Sequence, residues 1–536
     1  MAPPSGTEQQ GRGAASQQGR GAASQPGRGA ASQPGRGAAS QPGRAAGAAP
    51  PPGRTTARRP GAKAPGAGGG GRPAARTRAD PARRAALDVL LAVEQRDAYA
   101  NLLLPSVLTE RGLTGRDAAL ATELTYGTLR GRGTYDAILG VCSDRGLDRI
   151  DPPLREVLRL GIHQLLATRV RAHAAVATSV DLAKDVAGPR SAGFVNAVLR
   201  RVTTRDLESW ISVAAPSRDA DPLGHLVVRY SHPRWIVEAL SESLGESPGD
   251  DAAGGLAETE AVLAADSTRP GVTLCVVPGL ADAAELVAGG AELARWSPFG
   301  GYLDGGDPAA VTLVAEGRAA VQDEASQLVA LALARAGVTG PDTRWLDLCA
   351  GPGGKARLLA GLAAGRQARL VAADKRLHRA RLVSSAVAGT GAGAAVAADG
   401  TVPPWRPGTF DRVLADVPCS GLGALRRRPE ARWRKSPEDI VGLGVLQRQL
   451  LASALDSARP GGVVGYVTCS PHLAETRAVV ADVLRGRGDV AVLDAPALLP
   501  EVPGLRCPAP DSRYAQFWPH RHGTDAIFLA LLQRSG

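Results

Sequence analysis

Leu346-Asp347-Leu348-Cys349-Ala350-Gly351-Pro352-Gly353-Gly354-Lys355 decides how the rest of this 536-residue chain is read. The apolar run Trp345 to Leu348 predicts a strand and Ala356 to Ala364 predicts a helix, so the glycines fall on a strand-to-helix turn. Such a turn brings bare backbone N–H groups up to a ligand at a helix N-terminus. Gly353 and Gly354 remove side chains where chain and ligand must touch. The stretch is not a P-loop, because Ala356 rather than Ser or Thr follows Lys355, and it lacks G-x-G-x-x-G spacing. An ordinary tight turn in an α/β protein is the alternative, and the downstream residues have to decide.

Downstream, strand and helix signals alternate. Strand candidates are Arg344 to Leu348, Arg369 to Ala373, Ala395 to Ala398, Arg412 to Ala415 and Val463 to Thr468. Helical runs cover Lys375 to Ala386, Pro437 to Ala458 and Ala474 to Gly486, while Tyr514 to Trp518 and Ala526 to Leu532 are placed to close the sheet. The pattern predicts a Rossmann-like, doubly wound α/β domain over residues 321–536, with functional residues at the C-terminal ends of its strands. Asp374, Asp399 and Asp416 follow the second, third and fourth strands. Asp374 is placed to accept from a ribose diol and Asp399 to meet an adenine edge. One such Asp is as often a helix cap. Three in succession after a glycine turn fit a nucleoside cofactor, either NAD-like or S-adenosylmethionine (SAM).

Two thiols separate those readings. Asp416-Val417-Pro418-Cys419-Ser420-Gly421 lies at one strand end and Thr468-Cys469-Ser470 at the next. A lone Cys is usually core, but two flanked by small polar residues at adjacent strand ends can face one pocket. No CxxC pair supports disulfide redox chemistry. Pyrimidine chemistry uses both. A thiolate added to carbon 6 of cytosine makes carbon 5 enamine-like and able to accept a methyl group. An acid at N3 stabilises the adduct, and a further group resolves it. Cys469, Asp416 and Cys419 are the candidates.

Composition narrows the class. Residues 1–79 hold twelve of the 63 basic and one of the 52 acidic residues, so the net charge of +11 lies there and the remaining 457 residues are neutral overall. Any nucleic acid must therefore be bound by local patches of the folded body. Six dispersed cysteines make neither a disulfide framework nor a zinc site, and no metal is expected. Free thiols fit a reducing cytoplasm. No apolar window of 18 residues and no N-terminal apolar segment predicts a membrane span or a secretion signal.

Residues 1–80 read as a disordered basic tail, with GRGAASQQ and three copies of GRGAASQP over 11–42 and no large apolar residue before Leu87. Over 81–210, helical periodicity dominates at Ala85 to Glu94, Arg116 to Arg130, Leu154 to Leu166, Ala174 to Ala187 and Ala192 to Val202. Arg83-Arg84, Arg130-Gly131-Arg132 and Arg200-Arg201 offer either a phosphate-binding face or an ordinary solvated surface. Glu123-Leu-Thr-Tyr126-Gly127-Thr-Leu-Arg130, Leu160-Gly-Ile-His-Gln164 and Gly193-Phe-Val-Asn196-Ala-Val-Leu-Arg200 resemble the NusB-like, antiterminator-type helical RNA-binding domain. Residues 211–320 read as a small α+β connector, which the resemblance below makes RNA-facing. Its helices run over Trp235 to Leu244, Leu256 to Ala265 and Leu280 to Ala291, with a strand at Val272 to Val277. Trp235 is more often core than a base-stacking residue.

Over residues 81–536 the chain resembles the RsmB/Sun (Fmu) family of 16S rRNA cytosine-5 methyltransferases, on Asp347 to Lys355, Asp416 to Gly421 and Thr468-Cys469-Ser470. The resemblance implies SAM as cofactor, held by Cys349, Ala350, Gly351, Pro352, Gly353, Gly354, Lys355, Asp374, Asp399 and Asp416. It implies Cys469 as nucleophile, Cys419 in product release, and Asp416 where cofactor and base meet. DNA enzymes of this chemistry attack with the Pro-Cys thiol, so the presence of both thiols favours RNA and excludes a DNA substrate. The expected partner is a hairpin-loop cytosine of 16S rRNA, free or in an assembling subunit, since the base must be unstacked. Transfer RNA is the competing substrate, and a non-catalytic RNA-binding or antitermination factor the competing class. Gly351 and Ala356 stand where the family usually has Ala and Thr, Thr476 where it has Asn, and Ala526-Ile527 where it has Gly-Phe. Arg426 to Arg428 and Arg432 to Lys435 read as a substrate phosphate clamp, with Trp433 packing beneath it or stacking on a base.

Overall fold

A computed structural model describes residues 79–245, 256–508, 510 and 512–535. The repeat tail and the acidic loop at 247–254 fall outside the described residues.

The chain begins with helices Pro81–Arg96, Ala100–Glu110, Gly115–Arg130, Arg132–Cys142, Pro152–Ala167, Ala172–Ala187 and Ser191–Val202. The first starts where the sequence provides a cap and a proline. Asp80 accepts from the Arg83 N–H at 2.9 Å and Pro81 occupies the first helical position. Apolar residues at 3–4 spacing bury one stripe per helix, including Leu87, Leu90, Leu124, Ile138, Leu158 and Leu199. Ala100–Glu110 and Arg132–Cys142 escape a reading by periodicity. The first carries Pro105 in its interior and buries only Ala100 and Leu104. The second follows Gly131 directly and contains Gly133 and Gly140.

Helices Leu207–Ala214, Pro222–Tyr230, Arg234–Leu244 and Ala257–Asp266 follow. Leu223, Ile236, Val237 and Leu263 share one core with Leu422, Leu425 and Trp518 from the far end of the chain, and Trp235 packs against it. A small antiparallel sheet comes next, in the order β2 (Glu292–Leu293), β3 (Gly300–Leu303), β1 (Val272–Val276), β4 (Ala319–Val321). Only β1 is long enough to show as a strand in the sequence.

The last part is a mixed sheet. Its strands are β5 (Arg344–Asp347), β6 (Arg369–Asp374), β7 (Gly393–Ala397), β8 (Phe410–Asp416), β9 (Ala458–Thr468), β10 (Val490–Val492), β11 (Ala515–Gln516) and β12 (Phe528–Arg534). The order is β10-β12-β9-β8-β5-β6-β7, with β5 to β9 parallel, β12 antiparallel to β9 and β10, and β11 paired to β12. Strand order reverses between β5 and β8, and a doubly wound sheet opens its ligand crevice at that switch, beyond the strands' C-terminal ends. The turn Leu348 to Gly353 leaves β5 at that point. No helix among the described residues is long and apolar enough to cross a membrane.

The basic run after Cys419 corrects the clamp reading. Arg432 is fully buried and donates to the carbonyls of Arg130 (3.2 Å), Tyr230 (3.3 Å), Ser231 (3.1 Å) and Asp266 (2.7 Å). Arg434 donates to Val93 O at 3.2 Å, and Glu430 accepts from the Ala100 N–H at 3.1 Å. This segment is a wedge joining the helical region to the sheet, because a guanidinium buried among carbonyls must satisfy its donors there. Removing it leaves those acceptors stranded. Arg432→Ala is expected to lower stability by about 3–5 kcal/mol, read as a shift of the urea unfolding midpoint. An unchanged midpoint would mean that the wedge is not a fastening.

Candidate active site

The strand ends deliver the residues singled out in sequence. Asp347, Asp374 and Asp416 are the last residues of β5, β6 and β8, and Cys469 follows β9 directly. Gly353 takes a left-handed φ of 117° at the head of helix Gly354–Ala364, where a Cβ would sit 2.6 Å from Ala386 Cβ. A Cβ on Gly351 would lie 2.2 Å from Asp374 Oδ2, so the glycine lets that carboxylate close on the turn.

A cleft of about 350 Å³ opens over this turn. Ala350, Gly351, Pro352, Gly354, Lys355 and Asp416 line it, together with Gln322, Asp323 and Asp525. Cys349, Gly353, Asp374 and Asp399 are not in its lining. Asp374 accepts from the Arg376 N–H at 2.8 Å and lies 3.4 Å from Arg379 Nε. Asp399 pairs with Lys375 Nζ at 2.7 Å and accepts from Thr401, contacts that hold its carboxyl down at about 2.

Lys355 Nζ lies 2.9 Å from Asp416 Oδ2. Burial works against its ammonium, but Asp416 outweighs burial and the Lys355 pKa is raised. Asp347 is fully buried with neither oxygen paired at hydrogen-bonding geometry. Burial, reinforced by the charge of Asp416, pushes its carboxyl up to about 8 while Lys355 opposes the rise. The site list read from sequence omitted Asp347, although it heads the motif. A charged residue ending a run of apolar residues was the available signal.

The two thiols meet. Cys419 Sγ and Cys469 Sγ are 3.1 Å apart, both free and partly exposed. Their hydrogen bond holds Cys469 below the ordinary thiol value, aided by Lys355 against burial and the Asp416 charge. The same bond, with burial, pushes Cys419 well above that value. Cys469, nearer the Lys355 charge, is therefore the more acidic thiol of the pair.

Glu475 sets this arrangement, and no motif in the sequence singles it out. Its buried carboxylate accepts from Ser420 N (2.8 Å), Ser420 Oγ (2.5 Å) and Gln447 Nε2 (3.0 Å). Gln447 also donates to Pro418 O at 2.9 Å, and Ser420 Oγ lies 3.0 Å from Ser470 Oγ. On the far side of Cys419, the Gly423 N–H donates to Cys469 O at 2.8 Å. A Cβ on Gly423 would fall 1.8 Å from Ala526 O, so only glycine allows that approach.

Arg426 and Arg427 do not face a substrate as a free clamp. Each pairs with both Asp323 and Asp525 at 2.8–3.0 Å. Trp433 packs beneath the run, under Arg132 at 5.6 Å and against Gly133. Arg428 alone of the triplet is exposed, over the ring of Tyr99. The dispersed arginines of the helical region do not gather into one face either. Arg84 pairs with Asp88, and Arg132 with Glu94.

Comparison with known proteins shows what the chain is similar to. The family model described as 16S rRNA methyltransferase RsmB/F matches residues 338–533, and that of the NusB family matches residues 80–204. A Mycobacterium tuberculosis protein named as a methyltransferase is 52% identical over 457 residues, spanning 85% of this chain and 97% of its own. Ribosomal RNA small subunit methyltransferase B of Pseudomonas putida is 33% identical across 84% of this chain and 98% of its own. The solved protein PH0851 shares the fold, with a TM-score of 0.68 over 85% of this chain and 98% of its own, at 22% identity.

Two outcomes follow from the charges. Iodoacetamide should label Cys469 before Cys419, with a pH midpoint below the ordinary thiol value. Lys355→Met should raise that midpoint. Mass spectrometry of the labelled peptides decides, and prior labelling of Cys419 would reverse the assignment. Asp347 has a folded pKa above its unfolded one, so its contribution to stability declines as pH rises from the carboxylate range toward about 8 and is level beyond. Asp347→Asn should accordingly gain melting temperature over the wild type between pH 5 and pH 8. A difference independent of pH would remove Asp347 as a titrating group.

Proposed function

The chain belongs to the RsmB/F family of 16S rRNA methyltransferases, and from this we propose that it transfers a methyl group from SAM to carbon 5 of a cytosine in 16S rRNA, through a covalent bond from Cys469 to carbon 6. The observation that carries the reading is the thiol pair, 3.1 Å apart beside the Lys355–Asp416 pair. The relatives' names support 16S rRNA as the substrate, and the NusB match supports RNA binding. The reading places the protein in the cytoplasm, where that RNA is made.

The cleft fits SAM. Asp347 offers two unpaired buried oxygens to a donor, Gly351 and Gly353 clear the turn, and Asp374 and Asp399 stand at neighbouring strand ends for ribose and adenine. Ala350 to Lys355 and Asp416 would complete the holding set, with Cys349 behind the turn. When bound, SAM supplies an electrophilic methyl group on a sulfonium.

The chain's own residues supply the rest. Cys469, kept anionic by the Cys419 hydrogen bond and Lys355, forms the S–C6 bond and moves electron density to carbon 5. Asp416, which accepts a hydrogen bond from Lys355 Nζ, is placed at N3, and the proton held by that pair passes to N3 as negative charge appears there. Once Cys469 is bonded to carbon, Cys419 has lost the thiolate beside it. It then loses its own proton to solvent, and the Cys419 thiolate takes the carbon 5 proton as the S–C6 bond breaks and the Cys469 thiolate returns. Glu475 fixes the distance across which these exchanges occur.

Labelled SAM should place methyl groups on carbon 5 of cytosine in unmethylated 16S rRNA, and Cys469→Ala should reduce this to background. Cys419→Ala should leave protein covalently attached to RNA, visible as a band that survives denaturing electrophoresis. Label in tRNA alone would move the substrate, and full activity in Cys469→Ala would end the covalent scheme.

A further inference from the structure

An RNA strand that delivers a base to the thiols must leave the cleft along some surface. A second cleft, of about 360 Å³, adjoins the first, and Val321, Arg427 and Arg428 wall both. Asn101, Tyr126 and Arg130 line it from two N-terminal helices, and Arg269 from the turn before β1. It is the place where the helical region, the small sheet and the catalytic sheet converge.

Its chemistry is unbalanced. Arg130 Nε and Asn101 Oδ1 are buried without partners. Arg269 is exposed and makes no ion pair or side-chain hydrogen bond among the described residues. Glu123 is the single carboxylate among the lining residues, and it also sits 3.6 Å from His163 Nε2. Burial lowers the Arg130 pKa against the attraction of Glu123, and repulsion from Arg269 across the cleft adds a smaller push in the same direction as burial. Arg130 lies 5.6 Å from the Tyr126 ring, which makes a flat, cationic shelf. The unmet Arg130 donor and the free Arg269 guanidinium beside an aromatic face suit a phosphodiester with a sugar or base stacked next to it, while Asn101 Oδ1 is an acceptor open to a sugar hydroxyl or a base N–H. Arg84 and Arg132 of the same helical region are held in ion pairs, with Asp88 and Glu94, whereas among the described residues Arg130 and Arg269 are not.

We infer that this second cleft holds the nucleotides flanking the target cytosine, with Arg130 and Arg269 on phosphodiester oxygens and Tyr126 against a sugar or base. The inference rests on the RNA-methylation reading and gives the strand its path, inward between the helical region and the catalytic sheet.

The test is binding of the full chain to unmethylated 16S rRNA by fluorescence anisotropy over a salt series. Arg130→Gln/Arg269→Gln should lose at least about tenfold in affinity and show a log–log salt slope shallower by about 1.4, at roughly 0.7 per single-strand phosphate. Arg344→Gln/Arg485→Gln, equal in charge change and away from the cleft, should bind as the wild type does. Equal affinity and slope for wild type and the Arg130/Arg269 variant would overturn the inference. Should that variant fail to fold, photocrosslinking of the wild type to 4-thiouridine-substituted rRNA decides. Crosslinks at Asn101 or Tyr126 support the cleft, and crosslinks confined to other surfaces overturn it. Wild type that binds rRNA here but transfers no methyl group would sink the proposed activity and leave the cleft standing. Methyl transfer by a wild type whose binding the variant matches would sink the cleft alone.

Discussion

Parallel strands β8 and β9 end side by side, but neighbouring strand ends lie about 4.8 Å apart and do not by themselves aim two side chains at each other. The buried Glu475 carboxylate does that. It draws in the Ser420 amide and hydroxyl, while Gln447, bonded to the same carboxylate, holds Pro418 O. The Pro-Cys loop is pulled toward β9, and the Cys469 carbonyl is fixed on the other side by Gly423. A buried carboxylate is costly unless every lone pair is used. Here that cost is offset by three donors, and the result is one separation of two sulfur atoms. Lys355 then needs only to sit near one of them for the pair to become unequal.

The basic run beyond Cys419 shows how charge can serve architecture instead of substrate. Arg426 and Arg427 neutralise Asp323 and Asp525, which would otherwise face each other in a buried corner of the cleft. Arg432 and Arg434 reach into the helical region and end on backbone carbonyls. The segment that carries Cys419 is thus continuous with the segment that fastens the domains. A displacement of the helices would be felt at the Pro-Cys loop.

Much of this was legible in sequence because periodicity and strand-end position are local properties. Strands β5, β6, β8 and β9, the long helices and the placement of Asp374, Asp416 and Cys469 all follow from short windows. What escaped depends on distant partners. Arg426 reads as exposed until Asp525, 99 residues later, is brought beside it. Glu475 has no motif of its own and gains meaning only against Ser420, 55 residues earlier. The strands β2 and β4 are too short for alternation to register, and Pro105 hides a helix that packing nonetheless retains. Asp347 was quoted but not assigned, since burial of a carboxylate without a partner cannot be seen in one dimension.

Arg432 has a consequence for how the protein is made. Its guanidinium closes on the Arg130 carbonyl, 302 residues earlier. At about 5–20 residues per second, the ribosome takes roughly 15–60 s to supply that distance. The helical region emerges and folds long before its fastening exists, and for that interval the wall carrying Tyr126 and Arg130 faces solvent with nothing opposite. A nascent chain released early carries half of a binding cleft and none of the chemistry.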